Sequence, residues 1–367
     1  MKHLAWIAGW LLLAAPLRHL DARTQVPFTR TWTRSFPVNG SENLSLETQY
    51  GHVNLHAWSK NTIQVQAVIT GYGHDAAQAR EMASRVSVHS IQNGPSLDIS
   101  TSYSHMQRSF WKSFFSWGNS LAAGRQYVRV DYDIYVPGNL AGFTLKGNYV
   151  DAFLAALQAR ISCQLNYGSL NAQDQRGSLE LHCNYTHVQF SALSKLDVQS
   201  TYSSLQAQQV GQASLDAQYC HILLERAGEV SFRGNYGSFK AGDVDRLDAQ
   251  SNYTNYEFKH IDRSVTMKTT YADVQLGSLG NQIENVQLRG VYSKYHLEVP
   301  LSRNIHWTVS CTYGRFSCDP RLKFREQDRN RQGGILNLNA QSGQASEPQS
   351  SINLNGTYTD FDIATQN

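Results

Sequence analysis

The chain has 367 residues, and its 32 Lys and Arg against 29 Asp and Glu leave a formal net charge of +3. That length buries a sizeable core in one large domain or two ordinary ones. With so small a charge, and with Lys and Arg scattered rather than gathered in a patch, nucleic acid is not an expected partner.

Residues 1–22 read as a signal peptide. Lys2 gives a basic start, an apolar run extends from Leu4 to Leu17, and small residues surround Ala22. Such a run is short of the roughly 20 residues a spanning helix needs, which favours cleavage over anchoring. Residues 23–148 form an N-terminal region. It opens with "LSLETQYGHVNLHAW", where Leu44, Leu46, Tyr50, Val53 and Leu55 set out a phrase that recurs along the chain. "IQVQAVITGYG" alternates as a strand does, and "HDAAQAREMASRVS" places Ala76, Ala79, Met82 and Ala83 at helical spacing behind Asp75 as a cap. The strand "SLDISTSYS" follows, and "YVRVDYDIYVPGN" is an alternating strand that ends in a turn. These elements read as a helix-bearing insertion that caps the first end of a repetitive region.

Between those two strands lies "FWKSFFSW", five aromatics in eight residues. On a helix, Phe110, Phe114 and Trp117 share a face, with Trp111 and Phe115 beside them. The segment is either a plug over the core or a contact patch for a membrane surface or partner. It ranks first among candidate contact sites.

Residues 149–319 are repetitive. Tyr149, Tyr167, Tyr185, Tyr202, Tyr219, Tyr236, Tyr253 and Tyr271 recur at intervals of 18, 18, 17, 17, 17, 17 and 18 residues, and Tyr292, Tyr313 and Tyr358 continue less regularly. That period is too short for helical pairs, so each unit is built from strands. Before each tyrosine, alternate positions are apolar and the residue two back is usually small, as in Leu179, Leu181 and Cys183. After it, apolar residues fall three and five positions on, as in Val188 and Phe190. The phase slips by one at the tyrosine, which marks a corner in Gly, Ser and Asn-rich surroundings. The expected fold is an all-β solenoid of rungs about 4.8 Å apart, its tyrosines in a structural ladder and the small residue making room for the ring. The other reading of the tyrosines is an exposed strip that binds sugar. Residues 320–350 are polar and break the rhythm as a loop, and residues 351–367 supply a terminal rung that finishes the stack.

Chemistry is sparse. Cys163, Cys183, Cys220, Cys311 and Cys318 include no CxxC pair and no metal-ligand spacing; they are either small core residues or, for Cys311 with Cys318, a disulfide. Asp243, Asp245 and Asp248 are the densest acidic group, a weak metal candidate whose default is a solvated turn. The other carboxylates (Asp151, Glu180, Asp197, Asp216, Glu225, Glu257, Asp273) and His182, His187, His221 and His260 are dispersed along the repeat and read as forming no cluster. No catalytic residue, metal site or cofactor is expected from them.

The signal peptide, the first rung "LETQYGHVNLHAWSKNTIQVQAVITG", the Ala-rich helix, the strand ending in "VPGN" and the serial "NYGSL" rungs together resemble the putative-adhesin family, a domain-of-unknown-function group of exported Bacteroidota proteins. The resemblance implies a right-handed, single-stranded β-solenoid at the cell envelope, in the periplasm or on the surface, with no established active site to carry over. Several rungs depart from its usual "YG" with "YT", "YS", "YC", "YA" or "YV". The expected function is a non-catalytic adhesin-like binding module or scaffold, its partner an unknown glycan or envelope protein. The alternatives are a self-assembling structural protein and a carbohydrate-active β-helix enzyme.

Overall fold

The computed structural model describes residues 25–104, 126–344 and 347–366, with nothing said of the side chains of 326 and 327. The expected signal peptide and the aromatic segment 110–117 lie outside the described residues. Within them the protein is all-β with one helix, its strands joined in a single open sheet.

At the N-terminal end, β1 (Val26–Pro37), β2 (Asn43–Trp58) and β3 (Thr62–Gly73) precede helix α1 (Ala76–Ser84), followed by β4 (Val86–Asn93), β5 (Ser96–Tyr103) and β6 (Tyr127–Pro137). Asp75 caps α1 by accepting the Gln78 N–H at 2.8 Å, satisfying one of the donors a helix start leaves open. Ala79, Met82 and Ala83 are its buried face. The helix comes so close to β3 that a Cβ on Gly71 would lie 2.1 Å from the Ala79 carbonyl oxygen, so only glycine fits there. β5 and β6 lie beside β2 in parallel, one along each half of it. β3 pairs antiparallel with β6, and β1 antiparallel with β3.

The repeats form the middle. β2 pairs in parallel with β7 (Gly142–Leu154), and β8 (Arg160–Ala172), β9 (Gln175–Thr201), β10 (Ser204–Gln218) and β11 (His221–Thr270) follow in parallel. Partners are 18 residues apart from β7 to β9 and 17 apart from β9 to β11, the intervals between the tyrosines. Period two sets which side chains go inward. In β8, Ile161, Cys163 and Leu165 are buried before Tyr167, and Leu170 and Ala172 after it. Across each corner the two arms meet inside: Phe232 and Phe239 lie 5.2 Å apart between ring centroids, on either side of Tyr236.

The small residue two before the tyrosine also points inward, which corrects its expected role. It makes room for core side chains, the residue three beyond the tyrosine at Gly290 and Gly356 but Phe232 at Gly234, and not for the ring. A Cβ on Gly290 would lie 2.7 Å from the Tyr295 ring, and one on Gly356 2.8 Å from the Phe361 ring. Where that position is Ser251, it bonds the Tyr256 hydroxyl at 2.7 Å instead.

The C-terminal end departs from chain order. β12 (Asp273–Leu279), β13 (Asn285–Val291) and β14 (Lys294–Val299) continue the stack, and β15 (Ile305–Thr312) and β16 (Phe316–Cys318) would be expected next. Instead β19 (Ser350–Thr357) lies in parallel between β13 and β15, and β20 (Asp360–Thr365) between β14 and β16. The terminal unit therefore does not finish the stack; it fills a slot one unit from its end. The expected polar loop at 320–350 is corrected too, because it holds β17 (Phe324–Gln332) and β18 (Ile335–Ser342), a hairpin laid antiparallel on β15. Its turn is Gly333 and Gly334, both at positive φ.

All five cysteines are unbridged, so Cys311 and Cys318 form no disulfide. They lie on opposite arms of one corner, Cys311 facing Gly356 and Cys318 facing Ile363. Burial pushes the thiols of Cys183 and Cys311 up to about 11 and that of Cys163 up to about 12, which keeps them protonated and inert at neutral pH.

The inserted unit brings Ile352, Leu354, Phe361 and Ile363 into the core. Phe361→Ala is expected to cost about 3–5 kcal/mol, and the exposed Asn355→Ala within about 0.5 kcal/mol of nothing, in urea unfolding. Asp319 also holds this unit: it accepts the Thr365 hydroxyl at 2.6 Å and the Arg321 guanidinium at 2.8 Å. Those bonds, Arg321 foremost, hold its carboxyl well below the usual carboxylate range. Its stabilisation is full above the unfolded value of about 3.9 and is lost as pH falls toward the folded one. The difference in urea midpoint between the parent chain and Asp319→Asn is accordingly expected at neutral pH and to shrink steadily below about pH 4.

Candidate binding surface

The corner sits on the tyrosine itself. Tyr50, Tyr149, Tyr167, Tyr185, Tyr202, Tyr219, Tyr236, Tyr253, Tyr271, Tyr292, Tyr313 and Tyr358 all have φ between 50° and 57°, and among the described residues no other non-glycine has a positive φ. For an L-residue this left-handed conformation costs roughly 1–2 kcal/mol. Two devices following the tyrosine fit it. In the "YT", "YS" and "YC" repeats, the hydroxyl or thiol bonds the carbonyl two residues back: Thr186 to Asn184 at 2.9 Å, Ser203 to Thr201 at 2.9 Å, Cys220 to Gln218 at 3.2 Å and Thr254 to Asn252 at 3.2 Å. In the "YG" repeats the corner presses so closely on its neighbour that a Cβ on Gly168 would lie 2.0 Å from the Val150 oxygen, and one on Gly314 2.0 Å from the Thr359 oxygen. Both variants build the same corner.

At strand spacing the twelve rings form one stack. Its spatial order runs from Tyr50 through Tyr149 to Tyr292, then Tyr358, then Tyr313, with centroids 4.7–5.3 Å apart and planes within 18°. Offset stacking contributes about 0.5–1.5 kcal/mol per pair beyond buried area, comparable to the strain of each corner. From Tyr167 onward each tyrosine of the stack is 39–62% exposed. Because the ring faces cover one another, the stack presents edges and hydroxyls to solvent. A strip that binds sugar by stacking would need open ring faces, and the interior of this ladder has none.

Polar columns flank the ladder. On one side, Asn166 donates to Asn148 at 3.0 Å, Asn184 to Asn166 at 2.9 Å and Asn252 to Asn235 at 3.0 Å. On the other, His187 pairs with Ser204 at 2.6 Å and His221 with Ser238 at 2.9 Å. A groove of about 590 Å³ opens where Tyr271, Tyr292 and Tyr358 meet Asp273, Lys294 and Asp360. A second groove, of about 560 Å³, crosses the 17-residue repeats between Lys195, Gln212, Glu229, Arg246, Asp248 and Thr266.

The sequence-derived candidates separate clearly. The eight ladder tyrosines, Tyr149 through Tyr271, are brought together in order. Phe110, Trp111, Phe114, Phe115 and Trp117 lie outside the described residues. Asp243, Asp245 and Asp248 are exposed along β11, and no group of three or more potential metal ligands occurs among the described residues. One cluster escaped the sequence reading: His52 bonds Asp131 through Nδ1 at 2.8 Å, Asp131 accepts from Arg129 at 2.8 Å, and His52 Nε2 lies 3.9 Å from Asp151. Both imidazole nitrogens face carboxylates, and this cluster places no nucleophile beside either of them. Its partners lie 79 residues apart, beyond any spacing motif.

No family model matches the chain, and no curated protein matches it. Among solved structures it is similar to a putative cell adhesion protein from Clostridium sporogenes ATCC 15579, at 10% identity and TM-score 0.24 over 92% of this chain and 100% of that one. It is also similar to a putative adhesin from Parabacteroides distasonis ATCC 8503, at 10% identity and TM-score 0.31 over 91% and 97% of the two chains. A putative lipid binding protein from the same strain matches at 11% identity and TM-score 0.27, over 91% and 96%. At that level of similarity none of them transfers a function to this chain.

The left-handed corner reverses the usual effect of glycine. Tyr236→Ala loses the stack and keeps the strain, whereas Tyr236→Gly loses the stack and relieves it. The glycine variant is expected to be the more stable of the two by about 1 kcal/mol in urea unfolding, against the usual order.

Proposed function

We propose that the protein is a non-catalytic binding module of the cell envelope, an exported β-solenoid of 17–18-residue rungs whose tyrosine face carries an extended ligand. The export reading rests on residues 1–22 and the right-handed winding on the family resemblance. The parallel offsets of 17 and 18 residues support the rung length. The observation that carries the binding reading is the unbroken run of twelve stacked rings with polar columns on both sides. Such a face offers phenol hydroxyls, amides and imidazoles at a fixed repeat near 4.8 Å on a rigid support. Preordered groups of that kind lose little entropy when a long polymer docks. Glycan chains, which meet hydroxyls and amides through hydrogen bonds, suit the face better than an apolar ligand does.

The test uses residues 23–367 against immobilised glycans, peptidoglycan and lipid vesicles, alongside two variants. Tyr219→Phe, Tyr236→Phe and Tyr253→Phe together keep the stack and remove three hydroxyls; Trp111→Ala with Trp117→Ala removes the aromatic segment's largest rings. Glycan or peptidoglycan binding is expected, weakened about tenfold or more in the Phe variant at unchanged melting temperature, each lost hydrogen bond being worth about 0.5–1.5 kcal/mol. Loss confined to the Trp variant would move the site to residues 110–117. Absence of binding to every surface would sink the module reading in favour of a purely structural role.

A further inference from the structure

The slot filled by the C-terminal unit has a consequence independent of any ligand on the tyrosine face. β13 with β14, and β15 with β16, are successive in the chain and joined only by residues 300–304, yet they do not pair with each other. They stand apart as two parallel edges with β19 and β20 between them. The register is continuous on both sides: Asn285↔Ser351 to Val291↔Thr357 on one, Ile305↔Ser350 to Thr312↔Thr357 on the other. The slot recognises its occupant in three ways. Main-chain ladders run along both edges. Ile352, Leu354, Phe361 and Ile363 enter the core, Phe361 stacking on Tyr295 with centroids 5.2 Å apart. Polar side chains close the surface, with His296 bonded to Asp362 at 3.1 Å, Ser317 to Asp362 at 2.9 Å and Thr365 to Asp319 at 2.6 Å.

The occupant is attached through the polar stretch "GQASEPQ" at 343–349. Nothing in its contacts distinguishes the segment of one copy from that of another. We propose that the slot between 285–299 and 305–318 is a strand-acceptor site and that its partner is residues 350–366 of a second copy of this chain, so that two copies associate by exchanging C-terminal units. Exchange reproduces every contact of the closed monomer, so concentration decides between the two forms.

The test uses the full chain in two mass-labelled populations, one carrying His296→Cys and the other Asp362→Cys. They are unfolded together, refolded together over a range of concentrations and oxidised. These two positions face each other in the register, so an interchain bond between them forms only when one copy's slot holds the other's segment. A mixed-mass dimer is expected by native mass spectrometry, with that bond on non-reducing gels, rising with concentration and absent from the parent chain. A synthetic peptide of residues 347–367 in excess should suppress it several-fold, while the same peptide with Phe361→Asp should not. Mixed-mass dimers absent at every concentration, or present but indifferent to the peptide, would overturn the proposal. A chain carrying both cysteines should close its own bond, stay monomeric and lose exchange; continued exchange by that locked chain would count against the slot as the site.

Discussion

Every repeat turns on a residue held where L-amino acids are disfavoured. A left-handed tyrosine costs roughly 1–2 kcal/mol, and no local bond at the corner offsets the whole of it. The stack does so collectively, because a ring gains its neighbours only when the corners above and below adopt the same conformation. The ladder thus couples each corner to the next and fixes register. A slip of one residue would put the tyrosine at an inward position and turn the buried set outward. The ends are where that coupling is weakest. At the first end the structure supplies cover, Tyr50 being half-buried with burial pushing its phenol up, whereas at the last end Gly334 lies against the Tyr313 ring and leaves it the most exposed of the stack.

Much of this architecture was legible because spacing and period two are properties of the sequence itself. The tyrosine intervals of 17 and 18 reappear as strand offsets, the buried alternation is where it was expected, and Asp75 caps the helix predicted behind it. The corner was legible too, but its conformation was not. Left-handed backbone normally announces itself by glycine or asparagine, and here asparagine often precedes the corner while tyrosine occupies it. The small residue two back was misassigned for a related reason. Sequence shows that a position is small without showing which neighbour needs the space, and here the space goes to buried side chains such as Tyr295, Phe361 and Phe232.

Long-range order was the part the sequence hid. Tyr271 to Tyr292 and Tyr292 to Tyr313 are both intervals of 21 residues, yet the first pair is adjacent in the stack and the second is separated by Tyr358. The arms of all these repeats are alike, so alternation cannot say which edge a strand will choose. The β17–β18 hairpin was hidden by composition: "FREQDRNRQ" reads as loop, whereas on an edge strand such charge is what discourages further pairing. His52 and Asp131 meet only because β2 and β6 lie side by side, a pairing without a local signature.

The same topology constrains assembly and folding together. Antiparallel strands cover the first end of the parallel stack, β3 with β1 on one arm and β4 on the other, and at the last end β18 with β17 cover β15, while the three-residue β16 has no second partner among the described strands. Two parallel edges that face each other across a gap one strand wide occur inside, where β19 and β20 dock. Those edges belong to segments synthesised before their occupant, and they must stand two strand spacings, about 9.6 Å, apart to admit it. Residues 300–304 reach far enough, since five extended residues span up to about 17 Å. The closing contacts join residues more than 40 positions apart, which makes them slow to form. Until they form, two parallel edges and the core beneath them are open together, and any copy of the same C-terminal segment meets both the ladder and the apolar seat it is built to fill.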